Sequence, residues 1–252
     1  MSGLITPRTA WQIRQAQCAA GEYPECDSQQ SLQNSRLIFA VDEFGFAADQ
    51  YRAIGKRLEV KCTGRRLLIT SPGAQEGKST SASNLAWALS ERGRSTLLLE
   101  LDLRKPVFSR IFGVSPAQAG IDMVLSGDAE PREAVFRVRG TTLHIMAVRY
   151  AQLSAAKLVQ GPGLTQLLDW ASSRFDWLVL DSPPVFPVSD VIELASHSDP
   201  IVMVVRAGST RTILVRKAFE ALGGGLKFVI LNGSDLRPVG SYYYADYRAQ
   251  LP

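Results

Sequence analysis

The chain has 252 residues, of which 46% are apolar, and it carries a net charge of +4 with a pI near 9.0. This length suits one α/β domain or two small ones, and the apolar fraction is large enough to form a full core. The mild basic charge gives no reason by itself to expect a nucleic-acid partner. Three cysteines without a C-x-x-C pair indicate reduced thiols and a cytoplasmic protein. No apolar run approaches the ~20 residues of a membrane span, and the N-terminus lacks a signal-peptide core.

The N-terminal part of the chain contains two kinds of segment. Residues 1–36 are rich in Gln, Ser and Ala, and they predict a flexible N-terminal arm. Between residues 42 and 60, apolar positions recur at helical spacing and predict an amphipathic helix ahead of the core. We therefore assign residues 37–238 to the folded domain and residues 239–252 to a C-terminal tail.

The most informative motif is LLITSPGAQEGKST at residues 67–80. A strand, a glycine-containing loop and a helix N-terminus hold a polyphosphate, because free N–H groups and the positive end of the helix dipole face the anion. Lys78 adds a charge, and the Ser79 hydroxyl is placed to reach Mg²⁺. Pro72 replaces a motif glycine and has no N–H, so the amide donors must come later in the loop. The predicted nucleotide-binding residues of this loop are Gly73, Ala74, Gln75, Glu76, Gly77, Lys78, Ser79 and Thr80.

Two further apolar runs end in carboxylates. Glu100 and Asp102 follow one run and Asp181 ends another. Since alternate strand side chains point the same way, Glu100 and Asp102 are expected to share a face at the sheet edge where α/β proteins bind ligands. Asp181 has the position of a Walker B aspartate, which holds Mg²⁺. An alternative role for Asp181 is a cap on the Ser-Pro-Pro turn that follows it.

Strand and helix patterns alternate through the chain. Further strands are predicted at 143–148, 201–205 and 227–231, the last leading into Asn232. This alternation predicts the α/β class, with a mostly parallel sheet covered by helices on both faces. The P-loop NTPase fold is expected from the phosphate loop and from the resemblance described below. His144, inside one of these strands, is expected to be a satisfied strand residue and not a catalytic one.

Four of the seven tyrosines lie within six residues near the C-terminus. Such a cluster is difficult to explain as core, and it favours an exposed tail. A tail that docks on this domain or on a neighbour remains the alternative. The clustered residues are Tyr242, Tyr243, Tyr244 and Tyr247.

The phosphate loop, ELDLRKP at 100–106, DSPP at 181–184 and the tyrosine tail, in this order, resemble the bacterial tyrosine autokinases (BY-kinases) of capsule and exopolysaccharide synthesis. VVRAGSTR at 204–211 and VILN at 229–232 also resemble that family. The resemblance covers residue 42 to the C-terminus. It implies a cytoplasmic P-loop enzyme, related in fold to the MinD and ParA ATPases, that uses ATP and Mg²⁺.

The resemblance also implies roles for individual residues. Lys78, Glu100 and Asp102 would be catalytic, with Glu100, which replaces the family's usual aspartate, accepting the tyrosyl proton. Ser79, Asp102 and Asp181 would hold Mg²⁺ directly or through water. Asn232 would contact the adenine, and the tail tyrosines would be the phosphoacceptors.

Partners follow from the same resemblance. Tail tyrosines of one protomer would enter the site of a neighbour in a ring-forming homo-oligomer. A membrane-spanning polysaccharide co-polymerase would recruit the kinase to the inner face of the membrane and activate it through a cytoplasmic tail. No motif indicates a nucleic-acid partner.

Two other functions are compatible with the motifs. A catalytically weak ATP-binding switch in the same polysaccharide machinery would bind ATP without forming phosphotyrosine. A MinD- or ParA-like positioning ATPase is less favoured, because residues 71–76 lack the extra lysine of those relatives and because the chain has a tyrosine tail.

Overall fold

One mostly parallel sheet forms the centre of the molecule. The computed structural model describes residues 23–26, 37–114, 119–187 and 190–234. Within these ranges the strands are β1 (Glu25–Cys26), β2 (Arg66–Thr70), β3 (Thr96–Glu100), β4 (Val135–Val138), β5 (Leu143–Met146), β6 (Trp177–Asp181), β7 (Ile201–Arg206) and β8 (Leu226–Asn232). Their order in space is β1-β4-β5-β3-β6-β2-β7-β8. Only the β4–β5 pair among them is antiparallel, so the predicted sheet is confirmed.

Helices cover both faces of this sheet, as predicted. The described helices are α1 (Ile38–Val41), α2 (Phe46–Lys61), α3 (Lys78–Ser90), α4 (Phe108–Phe112), α5 (Ile121–Ser126), α6 (Ala155–Val159), α7 (Pro162–Ser172), α8 (Asp190–Ser196) and α9 (Thr212–Leu222). The first four contribute to one apolar core, and the other five contribute to a second core on the opposite face. None of these described helices is both long enough and apolar enough to cross a bilayer.

The central strands β3 and β6 are buried along their whole length because both of their faces are covered, and they are polar only at their ends. Every residue of β3 and of β6 is buried. Leu97 and Leu99 pack into one core while Leu98 packs into the other, as strand alternation requires. The apolar runs of β3 and β6 are therefore typical of parallel strands that lie between two layers of helices.

Residues 23–26 correct one part of the predicted flexible arm. Their strand β1 pairs in parallel with β4, with Glu25 opposite Arg137. The ring of Tyr23 meets the ring of His144 edge-on, at 5.4 Å between centroids, and Cys26 is buried. A four-residue segment has too little pattern to reveal a pairing that depends on a distant strand. The remaining arm residues, 1–22 and 27–36, and residues 235–252 lie outside the described ranges, so the domain boundaries remain predictions.

His144 is a buried strand residue, as expected, but it is only partly satisfied, because its Nε2 has no hydrogen-bond partner among the described residues. Its Nδ1 lies 3.2 Å from the Thr142 carbonyl oxygen, and its ring packs between those of Tyr23 and Phe175. Burial lowers the pKa of His144 to about 4, because the charged imidazolium would lose its hydration. The imidazole therefore stays neutral in the folded protein near pH 7.

Candidate active site

The phosphate loop has the predicted strand–loop–helix geometry. Strand β2 ends at Thr70, and α3 begins at Lys78. Gly77, the residue before the helix, has φ +88°, a left-handed conformation that favours glycine. A Cβ atom on Gly77 would also lie 2.1 Å from Asn232 Nδ2, closer than real contacts allow. Both the backbone conformation and the packing therefore require glycine at this position.

Side chains inside the loop fix its shape. The Gly73 N–H donates to Glu76 Oε1 at 3.0 Å, and the Ser71 hydroxyl donates to the Gly73 carbonyl at 2.7 Å. Burial raises the pKa of Glu76. The Pro72 carbonyl accepts the N–H of Phe186 at 3.1 Å, so Pro72 joins the loop to the segment after β6. Glu76, which we predicted as a nucleotide-binding residue, thus turns its carboxylate back onto the loop.

Lys78 lies between two carboxylates. Its Nζ is 2.7 Å from Asp181 Oδ1 and 3.8 Å from Asp102 Oδ2, and it donates to Ser79 Oγ at 3.2 Å. Burial raises the pKa of Asp181, and the Lys78 ammonium opposes that rise. The second oxygen of Asp181, Oδ2, is buried and has no hydrogen-bond partner. The predicted lysine, serine and two aspartates therefore meet at one place.

Glu100 departs from the predicted arrangement. Its carboxylate is fully buried and accepts three backbone N–H groups: those of Val107 and Phe108 on Oε1, the latter at 2.7 Å, and that of Val148 on Oε2 at 2.9 Å. Burial raises the pKa of Glu100 to about 7, although these hydrogen bonds oppose the rise. Leu99, Leu101 and Leu103 pack into the same core, so strand alternation continues past Glu100 and places Glu100 and Asp102 on the other face, as predicted. Of the two, only Asp102 lines the cleft described below.

Asn232 ends β8 at the rim of the phosphate loop. Its Nδ2 donates to the Glu76 carbonyl at 2.9 Å. Arg206, at the end of the neighbouring strand β7, donates to the Gln75 carbonyl at 3.3 Å. The two strand ends thus hold one side of the loop, where Asn232 was predicted to contact an adenine.

These elements surround a cleft of about 870 Å³ at the C-terminal edge of the strands. The predicted residues that line it are Gly73, Ala74, Gln75, Gly77, Lys78, Ser79, Thr80, Asp102 and Asn232. Glu76 and Glu100 do not line it, and Asp181 lies behind Lys78. The tyrosines predicted as phosphoacceptors lie outside the described residues.

Four cationic residues of the cleft were not predicted as site residues: Arg104, Lys105, Arg110 and Arg206. The sequence contained a signal for three of them, because Arg104 and Lys105 follow Asp102 directly and Arg206 ends an apolar strand. Arg110 lies on α4 and comes to the cleft only through the fold. Together with Lys78, these residues make the cleft strongly attractive to a polyphosphate.

Comparison with known proteins identifies the family. The ParA family, described as NUBPL iron-transfer P-loop NTPase, matches residues 64–221. The tyrosine-protein kinase YwqD of Bacillus subtilis (strain 168) is 30% identical over 220 residues, which cover 85% of this chain and 92% of that protein. The chain belongs to the bacterial tyrosine-protein kinases. This kinase therefore has a P-loop fold of the ParA type.

Solved structures agree with this assignment. The VpsO kinase domain is 30% identical to this kinase, with a TM-score of 0.69, and the match covers 75% of this chain and 95% of that one. The kinase domain of Escherichia coli ETK has a TM-score of 0.73 at 23% identity, covering 94% of this chain and 97% of that one, which shows the shared fold.

A longer relative contains a similar segment within a larger chain. The succinoglycan biosynthesis transport protein ExoP of Rhizobium meliloti (strain 1021) is 30% identical over 184 residues. These residues are 71% of this kinase but 23% of ExoP, so the kinase spans about a quarter of that relative's length.

Proposed function

We propose that this kinase binds Mg-ATP in the cleft and transfers the γ-phosphate to tyrosines in the tail of another copy. The observation that carries the proposal is the position of Lys78, at the first residue of α3 and between Asp181 and Asp102. Phosphoryl transfer requires charge neutralisation and an aligned nucleophile, with little covalent chemistry from the protein. The cleft offers this neutralisation, and family membership supports tyrosine as the acceptor. The proposed acceptors are Tyr242, Tyr243, Tyr244 and Tyr247.

The residues around Lys78 fit a magnesium ion. Asp181 Oδ2, the Ser79 hydroxyl and the Asp102 carboxylate are hard oxygen donors, and Asp181 Oδ2 has no other partner. Mg²⁺ usually takes one or two protein carboxylates and completes its coordination with water and nucleotide phosphates, which matches the few donors that these residues offer. When bound, Mg²⁺ neutralises charge on the β- and γ-phosphates.

Cations on the opposite wall of the cleft complete the proposed phosphate environment. Lys105 and Arg110 line the cleft, as does Arg104, whose guanidinium pairs with Asp190. Asp190 is buried, so this pair fixes the Arg104 side chain while leaving part of it exposed to the cleft. We expect these cations to bind the γ-phosphate and to stabilise the negative charge that develops on it in the transition state.

The biological setting is proposed from relatives. ExoP is named as a succinoglycan biosynthesis transport protein, and this kinase matches one segment of it. We propose that this kinase regulates polymerisation and export of a capsular or extracellular polysaccharide. Its partner would be a membrane-spanning co-polymerase that holds the kinase at the inner face of the membrane and activates it, with the kinase in a ring of copies.

The Glu100 carboxylate favours a second candidate, a catalytically weak ATP-binding switch. All of its observed bonds are to backbone N–H groups, so it is not placed to accept a proton from a tyrosine in the cleft. A switch of this kind would bind Mg-ATP at Lys78 without forming phosphotyrosine.

A mixing experiment tests the proposed function and the trans mechanism together. One partner is the Lys78→Met full chain, which keeps its tyrosines but lacks the phosphate-binding lysine. The other is a full chain with all four tail tyrosines changed to Phe, which keeps its site but lacks acceptors. The two are mixed with Mg-ATP, with and without the cytoplasmic tail of the co-polymerase, and their intact masses are measured.

We expect mass steps of one phosphate on the Lys78→Met chain only when the other chain is present. Each chain alone with Mg-ATP is the control, and neither should gain mass. Phosphate on the unmodified kinase but never on Lys78→Met in the mixture would overturn the trans mechanism. No added mass in any sample, with ATP still bound, would overturn the kinase proposal in favour of the switch.

A further inference from the structure

The Glu100 carboxylate joins three segments of the chain. Its Oε1 accepts the N–H groups of Val107 and Phe108, and its Oε2 accepts that of Val148, which follows β5. Glu100 has 0% exposure, so no water competes for these bonds. Both carboxylate oxygens are engaged, so the side chain is held in one orientation between the three segments.

Two of these bonds act at the start of α4. Val107 is the residue before the helix, Phe108 is its first residue, and Val107 makes no side-chain cap hydrogen bond. The first N–H groups of a helix have no partner within the helix and need an acceptor from elsewhere. Glu100 provides that acceptor from the end of β3.

The length of the side chain decides whether this contact forms. An aspartate at position 100 would place its carboxylate about 1.5 Å nearer its own backbone, the length of one C–C bond. Phe108 N–H is 2.7 Å from Glu100 Oε1, so the shorter side chain could not make the same bond without a backbone shift. The glutamate therefore does what the family's usual aspartate could not do from this backbone.

The segment held by Glu100 forms one wall of the cleft. Asp102, Lys105, Val107 and Arg110 lie on or next to the bonded residues, and all four line the cleft. Within the segment, the Lys105 N–H contacts the Asp102 carbonyl at 3.2 Å and Asp102 Oδ1 at 3.3 Å. Fixing the first residues of α4 therefore fixes where Asp102 and the two cations stand relative to Lys78.

We propose that Glu100 is a positioning residue: it braces the start of α4 and so sets the cleft wall of residues 102–110 for phosphoryl transfer. This inference rests on the proposed function. The role differs from that of a proton acceptor, because no oxygen of Glu100 is directed at the cleft. It is chemically sufficient, since catalysis of phosphoryl transfer comes almost entirely from positioning and electrostatics.

Two substitutions separate the two roles because they rank in opposite order. Glu100→Gln keeps the length and one carbonyl oxygen, so it can still accept the two helix N–H groups, while its NH2 group faces the Val148 N–H and disturbs that third contact. Glu100→Asp keeps the charge but cannot reach. A brace predicts that Glu100→Asp is the worse enzyme, whereas a proton acceptor predicts that Glu100→Gln is.

We expect Glu100→Asp to lower kcat by about tenfold or more and Glu100→Gln by about threefold or less, with a smaller change in KM for Mg-ATP than in kcat in both. The change in KM is smaller because the phosphate loop, which the substitutions do not touch, still holds the nucleotide. Amide hydrogen exchange should rise across 103–112 in Glu100→Asp and stay near the unmodified level in Glu100→Gln.

Asp122→Asn is the matched control. Asp122 is also a buried carboxylate that accepts backbone N–H groups, those of Arg149 and Tyr150, but it has no bond to α4. It should lose thermal stability to a similar degree and leave kcat unchanged, because simple destabilisation does not move the cleft wall.

Full activity in Glu100→Asp with an inactive Glu100→Gln would overturn the brace and make Glu100 the proton acceptor. Unchanged exchange across 103–112 in Glu100→Asp would overturn it as well. If the unmodified kinase forms no phosphotyrosine, the proposed function fails separately. The exchange pattern then still decides whether Glu100 holds α4 in place.

Discussion

The ends of β3 and β6 lie side by side, with Glu100 in register with Asp181, and they show two uses of a buried carboxylate. Both side chains have 0% exposure. Asp181 has a lysine at 2.7 Å on one oxygen and no hydrogen-bond partner on the other, whereas three backbone N–H groups occupy both oxygens of Glu100. Burial therefore does not distinguish a functional carboxylate from a structural one. What distinguishes this pair is that Asp181 keeps one oxygen without a protein partner and Glu100 does not.

The largest effect is expected from Lys78→Met, which removes the cation that pairs with Asp181 at the end of β6. Phosphorylation should fall by about a thousandfold, since electrostatic stabilisation of the transferred group is lost. The free energy of unfolding should fall by about 3–5 kcal/mol, because Asp181 is left buried and unpaired. Urea unfolding and phosphate incorporation measure the two effects.

The double variant Lys78→Met/Asp181→Asn is the control for this first prediction. It should regain most of the lost stability without regaining activity, because the unpaired charge is gone. Equal stability of the single and double variants would show that Asp181 does not depend on Lys78.

Magnesium should distinguish the two strand ends. The unmodified kinase is expected to bind ADP more tightly with Mg²⁺ than with a chelator, and Asp181→Asn should reduce that difference by about tenfold or more. Glu100→Gln should keep the full effect of Mg²⁺ on ADP affinity, because both oxygens of Glu100 already accept backbone N–H groups and are not free to bind a metal. Isothermal calorimetry with and without Mg²⁺ measures both. An equal loss in both variants would mean that the comparison between Asp181 and Glu100 is wrong.

His144 extends the comparison to a buried base, and its effect appears at acid pH. Its folded pKa of about 4 lies below the ordinary value of 6.5, so the unfolded chain takes up a proton that the folded chain does not. Stability from this group is present above pH 6.5 and is lost as pH falls towards 4. Between pH 6.5 and 5 the loss should be about 1.5 kcal/mol.

His144→Asn is the comparison for the pH prediction, since its amide nitrogen lies as many bonds from the backbone as Nδ1 and can donate to the Thr142 carbonyl without titrating. The difference in urea midpoint between the two proteins should change with pH over this interval. A constant difference would contradict a lowered pKa at His144.

The smallest effect is expected from Arg52, a half-exposed counterpart of the buried Lys78–Asp181 pair. Its guanidinium donates to both oxygens of Glu91, at 2.7 and 2.8 Å, and to Asp49 at 2.9 Å. Arg52→Lys should cost about 1 kcal/mol, because the two-point contact with Glu91 is lost while the charge stays. High salt should shrink the loss in thermal unfolding experiments. If the free energy of unfolding fell by several kcal/mol and salt did not change this loss, the Arg52 ion pair would behave like a buried pair, and the prediction would be wrong.

The sequence predicted most of the site on the phosphate-loop side. Strand β2, the helix starting at Lys78 and the carboxylate at Asp181 all follow from short-range patterns, an apolar run followed by a glycine turn or an acid. These features are local: about 10 to 15 consecutive residues are enough to predict each of them. They also placed Lys78 and Asp181 at the same sheet edge.

Other parts could not be predicted because they depend on distant partners. Strand β1 pairs with β4, over a hundred positions further along, and Arg110 reaches the cleft only through the docking of α4. Glu100 has the same acid character in the sequence as Asp102, and alternation gave both the same expected direction. Both do lie on the same face, but Glu100 is occupied by backbone N–H groups from Val107, Phe108 and Val148, which no local pattern brings together.

The sequence by itself determined the fold class, the phosphate loop and the family of this kinase, because motif order and apolar periodicity are properties of the chain. Only the tertiary structure decided which acids have a free oxygen and which are consumed by backbone N–H groups. The physical reason is that a carboxylate's role depends on the donors within about 3 Å of it. For Glu100 those donors come from Val107, Phe108 and Val148, which the fold brings together.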